Sequence, residues 1–129
     1  MKILFDANVI ISGFISQGYT FDVIKDAIFR HELYYTEYLL KEVHENLSTK
    51  FALSDEAAAY IIYTIEKHFI KGKTANTVED ACRDPKDNQV LADAVTNNIE
   101  VIVTGDNDLL ELKSYKEIKI ILPKDYWKL

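Results

Sequence analysis

Three aspartates in this sequence stand where their carboxylates could meet. Asp6 follows the apolar run Ile3-Leu4-Phe5, Asp106 follows Val101-Ile102-Val103-Thr104-Gly105, and Asp87 lies in Asp84-Pro85-Lys86-Asp87, where a helical pattern begins. In open parallel sheets, ligands gather outside the carboxyl ends of the strands. If the two apolar runs are neighbouring strands, Asp6 and Asp106 project from one sheet edge. Crowded carboxylates repel one another and raise each other's pKa values, and a divalent cation relieves that repulsion. His31, His44 and His68 are scattered and Cys82 is the single cysteine. An oxygen-only donor set of this kind selects Mg²⁺ or Mn²⁺ over zinc.

The segment Asp84-Pro85-Lys86-Asp87 also has a purely structural use. Asp84 is a good N-cap, Pro85 suits the first helical position, and Asp87 at N3 resembles a capping box. The helix dipole favours an acid in the first turn by about 0.3–1 kcal/mol. Taken alone, Asp84 and Asp87 therefore read as helix-start residues. Their helix packed on the sheet would start near one sheet edge or the other, and the spacing leaves both open.

Glu42 flanks the stripe Leu39, Leu40, Val43 and Leu47, whereas Glu45 points away from it at about 100° per residue. A flanking acid is ordinarily a solvated boundary residue. Asp108 reads either as a ligand, through Asp106-Asn107-Asp108, or as the N-cap of a short helix over 109–112, and the cap is favoured. Asn8 suits a hydrogen bond that holds its loop. Thr104 either orients a carboxylate or simply fits a strand end.

The elements that must position these groups alternate between strand and helix. A buried strand over 3–5 stops at Asp6; Val9-Ile10-Ile11 resumes the apolar pattern before Ser12-Gly13 and a loop through Gly18. Thr20 can N-cap a helix over 21–30, with Val23, Ile24, Ala27 and Ile28 inward. Residues 33–36 read as a strand and 37–51 as a helix. Ser54 caps a further helix with Asp55 and Glu56 in its first turn and Ile61, Ile62, Ile65 and Phe69 inward. Residues 70–83 are polar and irregular, with a short strand near Val78. A helix over 85–97, a strand over 100–103, a last strand over 118–121 and a helical turn from Pro123 complete the pattern. Strands alternating with helices imply an α/β architecture, a parallel sheet covered on both faces.

The bulk composition is that of a globular chain: 129 residues, 48% hydrophobic and 28% charged, enough for one domain over 1–129. With one cysteine no intramolecular disulfide can form, so a reducing, cytoplasmic compartment is the default. Asp6 and Asn8 interrupt the first apolar run before a signal-peptide core could develop. No run of about 18 apolar residues occurs, so no membrane span is expected. A net charge of −6 and a pI near 5.0 argue against nucleic-acid binding through a broad basic surface. They leave open a site that holds phosphates through bound cations.

Four segments together resemble the PIN domain, a family of small metal-dependent nucleases: L-F-D-A-N-V at 4–9, L-L-K-E-V at 39–43, R-D-P-K-D-N-Q-V-L-A-D-A at 83–94 and V-T-G-D-N-D-L at 103–109. Any one is weak, but four in this order cover nearly the whole chain. The flavour is that of bacterial and archaeal PIN proteins classed as toxins of toxin–antitoxin pairs, in which CRDP and TGD segments are typical. The resemblance implies an acidic quartet of Asp6, Glu42, Asp87 and Asp106, with Asp108 as a supporting ligand and Asn8 and Thr104 as polar helpers. Ala7 departs from the pattern, since many members carry Thr between the Asp and the Asn; a hydroxyl is lost but no ligand. The resemblance further implies a three-layer fold with five parallel strands ordered 3-2-1-4-5, Mg²⁺ or Mn²⁺ as cofactor, RNA as substrate, an antitoxin protein as partner and frequent homodimers. Lys41, Lys50, Lys71, Lys73, Arg83 and Lys86 are the cations available to hold RNA.

Two other readings stand beside a ribonuclease. A strand-end Asp can be a phosphoryl-accepting nucleophile, but the acid/base that phosphatases of the haloacid-dehalogenase type place two residues later is here Asn8, which cannot move protons. A non-catalytic binding module of the same fold would suit the negative charge, and the presence of all four acids argues against it.

Overall fold

The computed structural model describes residues 1–129 throughout. Its element order is β1 (Lys2–Phe5), α1 (Ala7–Ser16), α2 (Tyr19–Arg30), β2 (Glu32–Tyr35), α3 (Glu37–Thr49), α4 (Asp55–His68), β3 (Ile70–Lys71), α5 (Pro85–Thr96), β4 (Val101–Val103), α6 (Asn107–Leu110), β5 (Ser114–Tyr115), β6 (Ile118–Ile121) and a terminal 3₁₀ turn, Pro123–Lys128. The strands form one sheet in the order β3-β2-β1-β4-β6-β5. Five of them are parallel, in the expected order 3-2-1-4-5. β5 adds an antiparallel pair at the edge beyond β6.

β1 is the centre of the molecule. Ile3, Leu4 and Phe5 are all at most 2% exposed, and successive strand residues face opposite ways, so both faces of the sheet are covered and the molecule has three layers. Ile10 and Ile11 of α1, Ile24 of α2, Leu47 of α3 and Leu91 of α5 join the same core. No helix is long and apolar enough to cross a membrane.

The structure corrects the sequence expectations at several points. Thr20 does not cap α2, which starts at Tyr19 after Gly18 with no side-chain cap bond. The segment after Asp6 is a helix that runs through Ser12 and Gly13 to Ser16, because Asp6 itself caps it. Gly13 belongs inside that helix for a packing reason: a Cβ there would stand 2.5 Å from Ile24 Cδ1 of α2. The third strand is Ile70–Lys71, paired with Tyr34 and Tyr35, and Val78 is exposed and unpaired in the sheet. Residues 72–83 are instead held by side chains of α5 and of Asn97 at its C-terminal end: Asn97 Oδ1 accepts from Lys73 N, Asp93 Oδ1 from Ala75 N, and Asn88 Oδ1 from Ala81 N and Cys82 N. The β5–β6 hairpin turns on Lys116 and Glu117, both at positive φ (46° and 71°). Such a turn normally takes Asn or Gly, and Lys-Glu carries neither signal.

Candidate metal centre

The register of the central strands places the site. Phe5 of β1 pairs with Val103 of β4, and Asp6 N donates to Val103 O at 2.9 Å. The chain therefore leaves both strands at the same carboxyl edge, with Asp6 and Thr104 side by side. The polypeptide turns at once into helices: Asp6 caps α1 and Asp106 caps α6, each in extended backbone conformation. The start of α5 reaches this same edge, since a helix that precedes a parallel strand must run back toward that strand's amino end.

Thr104, fully buried, connects the first two acids. Its hydroxyl donates to Asp6 Oδ2 at 2.8 Å and accepts from Asp106 N at 3.0 Å. Asp6 Oδ1 accepts from Ala7 N at 2.8 Å, and Asp106 Oδ1 accepts from Asp108 N at 2.8 Å. Of the two uses the sequence allowed for Thr104, orienting a carboxylate is the one realised. Burial pushes the Asp6 carboxyl above its ordinary range, with the Asp106 charge adding to it and the Thr104 and Ala7 hydrogen bonds opposing.

Asp87, Asp106 and Asp108 place carboxylate oxygens within 4.8 Å of one another. Asp6 stands beside this group, outside that closest trio, with both its oxygens already accepting hydrogen bonds. Asp87 is 6% exposed and its Oδ2 has no hydrogen-bond partner. The capping of α5 is carried out by Asp84, whose Oδ1 accepts from Lys86 N at 2.9 Å. The helix-start reading thus holds for Asp84 alone. Burial first, then the charges of Asp106, Asp84, Asp6 and Asp108, push the Asp87 carboxyl up to about 7.

Asp108 is not a cap either. Asp106 caps α6, which begins at Asn107, two residues before the expected start. That leaves the Asp108 carboxylate free to pair with Arg83 Nη2 at 2.8 Å.

Glu42 comes from α3 and is half-buried, with Oε1 unpartnered. Burial and then the Asp6 charge push it up to about 7, against the opposing charges of Lys86 and Lys50. One turn later on α3, Asn46 is 8% exposed and donates from Nδ2 to Asn8 Oδ1 at 3.1 Å. Asn8 therefore ties α1 to α3 instead of holding a loop. Asn46 was not singled out in the sequence, although its four-residue spacing from Glu42 puts both on one helix face.

The donor set fits a hard divalent cation. It is built from carboxylate oxygens, and two of these, Asp87 Oδ2 and Glu42 Oε1, are buried without a partner; a buried polar atom left unsatisfied costs about 1–3 kcal/mol. The nearby Cys82 thiol is pushed up by burial and then by Asp87, Asp108 and Asp106, so it stays protonated and adds no soft ligand. Of the cations singled out in the sequence, Arg83 reaches Asp108, and Lys50 and Lys86 act on Glu42. Lys71 pairs instead with Glu37 at 2.8 Å, and Lys41 and Lys73 are exposed.

The arrangement has counterparts among known proteins. The PIN domain family model matches residues 2–108. Among solved structures, the chain is similar to a chain in the crystal structure of VapBC2 from Rickettsia felis bound to a DNA fragment from their promoter. The TM-score is 0.69, the match covers 93% of this chain and 97% of that one, and the identity is 9%. At that identity the likeness speaks for the fold. A comparison with curated protein sequences found no match.

Proposed function

Since this chain belongs to the PIN domain family, we propose that it is a metal-dependent endoribonuclease, the toxin of a toxin–antitoxin pair. The observation that carries this reading is the convergence of Asp87, Asp106 and Asp108 at one sheet edge, with an orphaned buried oxygen on Asp87. In this reading Asp6, Asp87, Asp106 and Asp108 hold Mg²⁺ or Mn²⁺. When bound, such an ion would polarise the phosphodiester and make water more acidic. Glu42, with a carboxyl near 7, is poised to take a proton from the attacking water at neutral pH. Thr104 keeps Asp6 in one orientation, and Asn46 keeps Asn8 beside it. Arg83, Lys86 and Lys50 supply positive charge at the rim, where RNA phosphates would approach.

An antitoxin partner is supported by the likeness to VapBC2, a named pair, and by an apolar surface. Phe29 is 89% exposed and Tyr60 64%; with Phe14, Phe21, Ile24 and Ile28 they line a groove along α2 and α4. Ile24 and Phe14 form its buried floor while Phe29 and Tyr60 stand exposed at its edge, and a groove of this kind suits a protein partner. Action in the cytoplasm and a homodimeric assembly complete the proposal.

The test is cleavage of RNA by rigorously purified protein with Mn²⁺, with and without chelator, alongside Asp6→Asn. Loss of cleavage in both the chelated and the variant samples is expected. Cleavage that survives Asp6→Asn would remove the assignment, and absence of Mn²⁺ binding by calorimetry would favour an inert module of the same fold.

A further inference from the structure

Asp108 makes two contacts of opposite meaning. It places a carboxylate oxygen within 4.8 Å of oxygens of Asp87 and Asp106, and its Oδ1 accepts from Arg83 Nη2 at 2.8 Å. The main chain is fixed at both ends of this ion pair. Asp108 N donates to Asp106 Oδ1 at 2.8 Å in the first turn of α6. Just before Arg83, Asn88 Oδ1 accepts from Ala81 N at 3.0 Å and Cys82 N at 2.6 Å, and Asn88 Nδ2 donates to Cys82 O at 3.1 Å. Just after it, Asp84 caps α5. Freedom is therefore left to the Arg83 side chain, which is 88% exposed.

The form of the contact decides between two roles. An arginine that buttresses a carboxylate does so best as a fork of two parallel N–H groups. Here one N–H is engaged, and an exposed ion pair is weak and screened by salt. The guanidinium is always charged, so it cannot yield by losing a proton and repels a divalent cation held by the same carboxylate. Its single charge pairs with one of the three acids and leaves Asp87 Oδ2 without a partner. A divalent ion among the three would serve all of them. Glu111, another acid whose charge reaches Arg83, makes no ion pair with it. Asp108 alone holds the side chain.

We propose that Arg83 is a displaceable counter-ion: it occupies Asp108 while the acids hold no metal, and a divalent cation takes its place there. The inference rests on the metal-dependent reading of the site and adds an order of events to it. The cation comes first and a phosphate second, because the Arg83 charge is free for an anion only after it leaves Asp108.

Two measurements on the full chain test the exchange. Calorimetric titration with Mn²⁺ at low salt should show about threefold tighter binding by Arg83→Gln, the scale of a surface ion pair. Arg83→Lys should bind like the parent, and in an Asp108→Asn background the gain from Arg83→Gln should vanish. By NMR, the Arg83 Nε–H signal of the parent should move as Mg²⁺ is added, toward the position it already holds in Asp108→Asn. Inorganic phosphate should shift that signal further with Mg²⁺ present and leave it in place without Mg²⁺. Unchanged or weaker Mn²⁺ binding by Arg83→Gln would make Arg83 a bystander or a buttress and overturn the exchange. A phosphate shift in the absence of Mg²⁺ would overturn the order of events. The exchange and the metal reading fail differently. Mn²⁺ binding with the Arg83 signal unmoved at saturating Mg²⁺ removes the exchange alone, whereas no Mn²⁺ binding by the parent removes the metal centre and the exchange with it.

Discussion

The Thr104 hydroxyl donates to Asp6 Oδ2 at 2.8 Å across 98 residues of sequence, and Thr104 Oγ1 itself accepts from the Asp106 amide at 3.0 Å. One buried side chain thereby sets the orientation of one acid and the backbone position of the next. Thr104→Val keeps the shape and removes both bonds. It should lower stability by about 1–3 kcal/mol in denaturant titration and weaken Mn²⁺ binding in calorimetry. Thr104→Ser should restore most of both, and a Val variant with full metal affinity would show that Asp6 does not need this support.

Asp87 is held among like charges for a reason other than stability. At pH 8 its carboxylate, with a value near 7, is ionised and buried without a partner for Oδ2. Asp87→Asn should therefore raise the stability of the metal-free protein at pH 8, on the order of 1 kcal/mol, while Mn²⁺ affinity falls at least tenfold. A lower Tm for the metal-free variant would contradict this account.

The pH dependence has a definite sign. Glu42 and Asp87 rise from ordinary values of 4.5 and 3.8 to about 7 in the folded protein. Between those limits the folded state binds more protons than the unfolded state. The contribution of these groups is therefore full below about pH 4 and is lost as pH rises toward about 7. The double variant Glu42→Gln with Asp87→Asn should flatten that decline relative to the parent chain in melts from pH 4.5 to 8. A metal held by Asp87 must displace its proton, so Mg²⁺ or Mn²⁺ binding at pH 6 should release about one. Calorimetry in buffers of different ionisation enthalpy would read the number, and release of none would refute the assignment.

Asp93 governs the segment that leads into the site. It is 2% exposed and accepts from Thr36 Oγ1 at 3.0 Å, Ala75 N at 2.7 Å and Gln89 Nε2 at 2.8 Å. Asp93→Ala leaves these donors without their acceptor and should cost about 3 kcal/mol. Limited proteolysis should then cut within 72–83 well before the rest of the chain. Equal protease resistance in variant and parent would mean that Asn88 and Asn97 suffice to hold the segment.

Much of this molecule was legible in one dimension because its signals are local. Apolar runs that stop at Asp6 and before Asp106 declare buried strands with acids at their ends, and the helical stripes on α2 to α5 declare the layers that cover them. Asp84-Pro85 declares a helix start from capping chemistry alone. The oxygen-only donor set follows from spacing, since the three histidines are scattered and Cys82 is alone.

What the tertiary structure alone decided is how groups distant in sequence face one another. Asp87 looked like one more capping residue until the fold gave the cap to Asp84 and turned Asp87 toward Asp106 and Asp108. Glu42 lies on the flank of a stripe in sequence; burial and the Asp6 charge across two elements are what raise it to about 7. Asp108 lost its expected cap because α6 begins two residues early, and the carboxylate met Arg83 instead. Local propensity sees neither desolvation nor the field of charges brought in by other strands, because both depend on what packs above the sheet edge. The third strand and the Lys116–Glu117 turn were hidden for a related reason. Two residues of sheet and a positive-φ turn without glycine are stabilised by their neighbours, and their own side chains do not announce them.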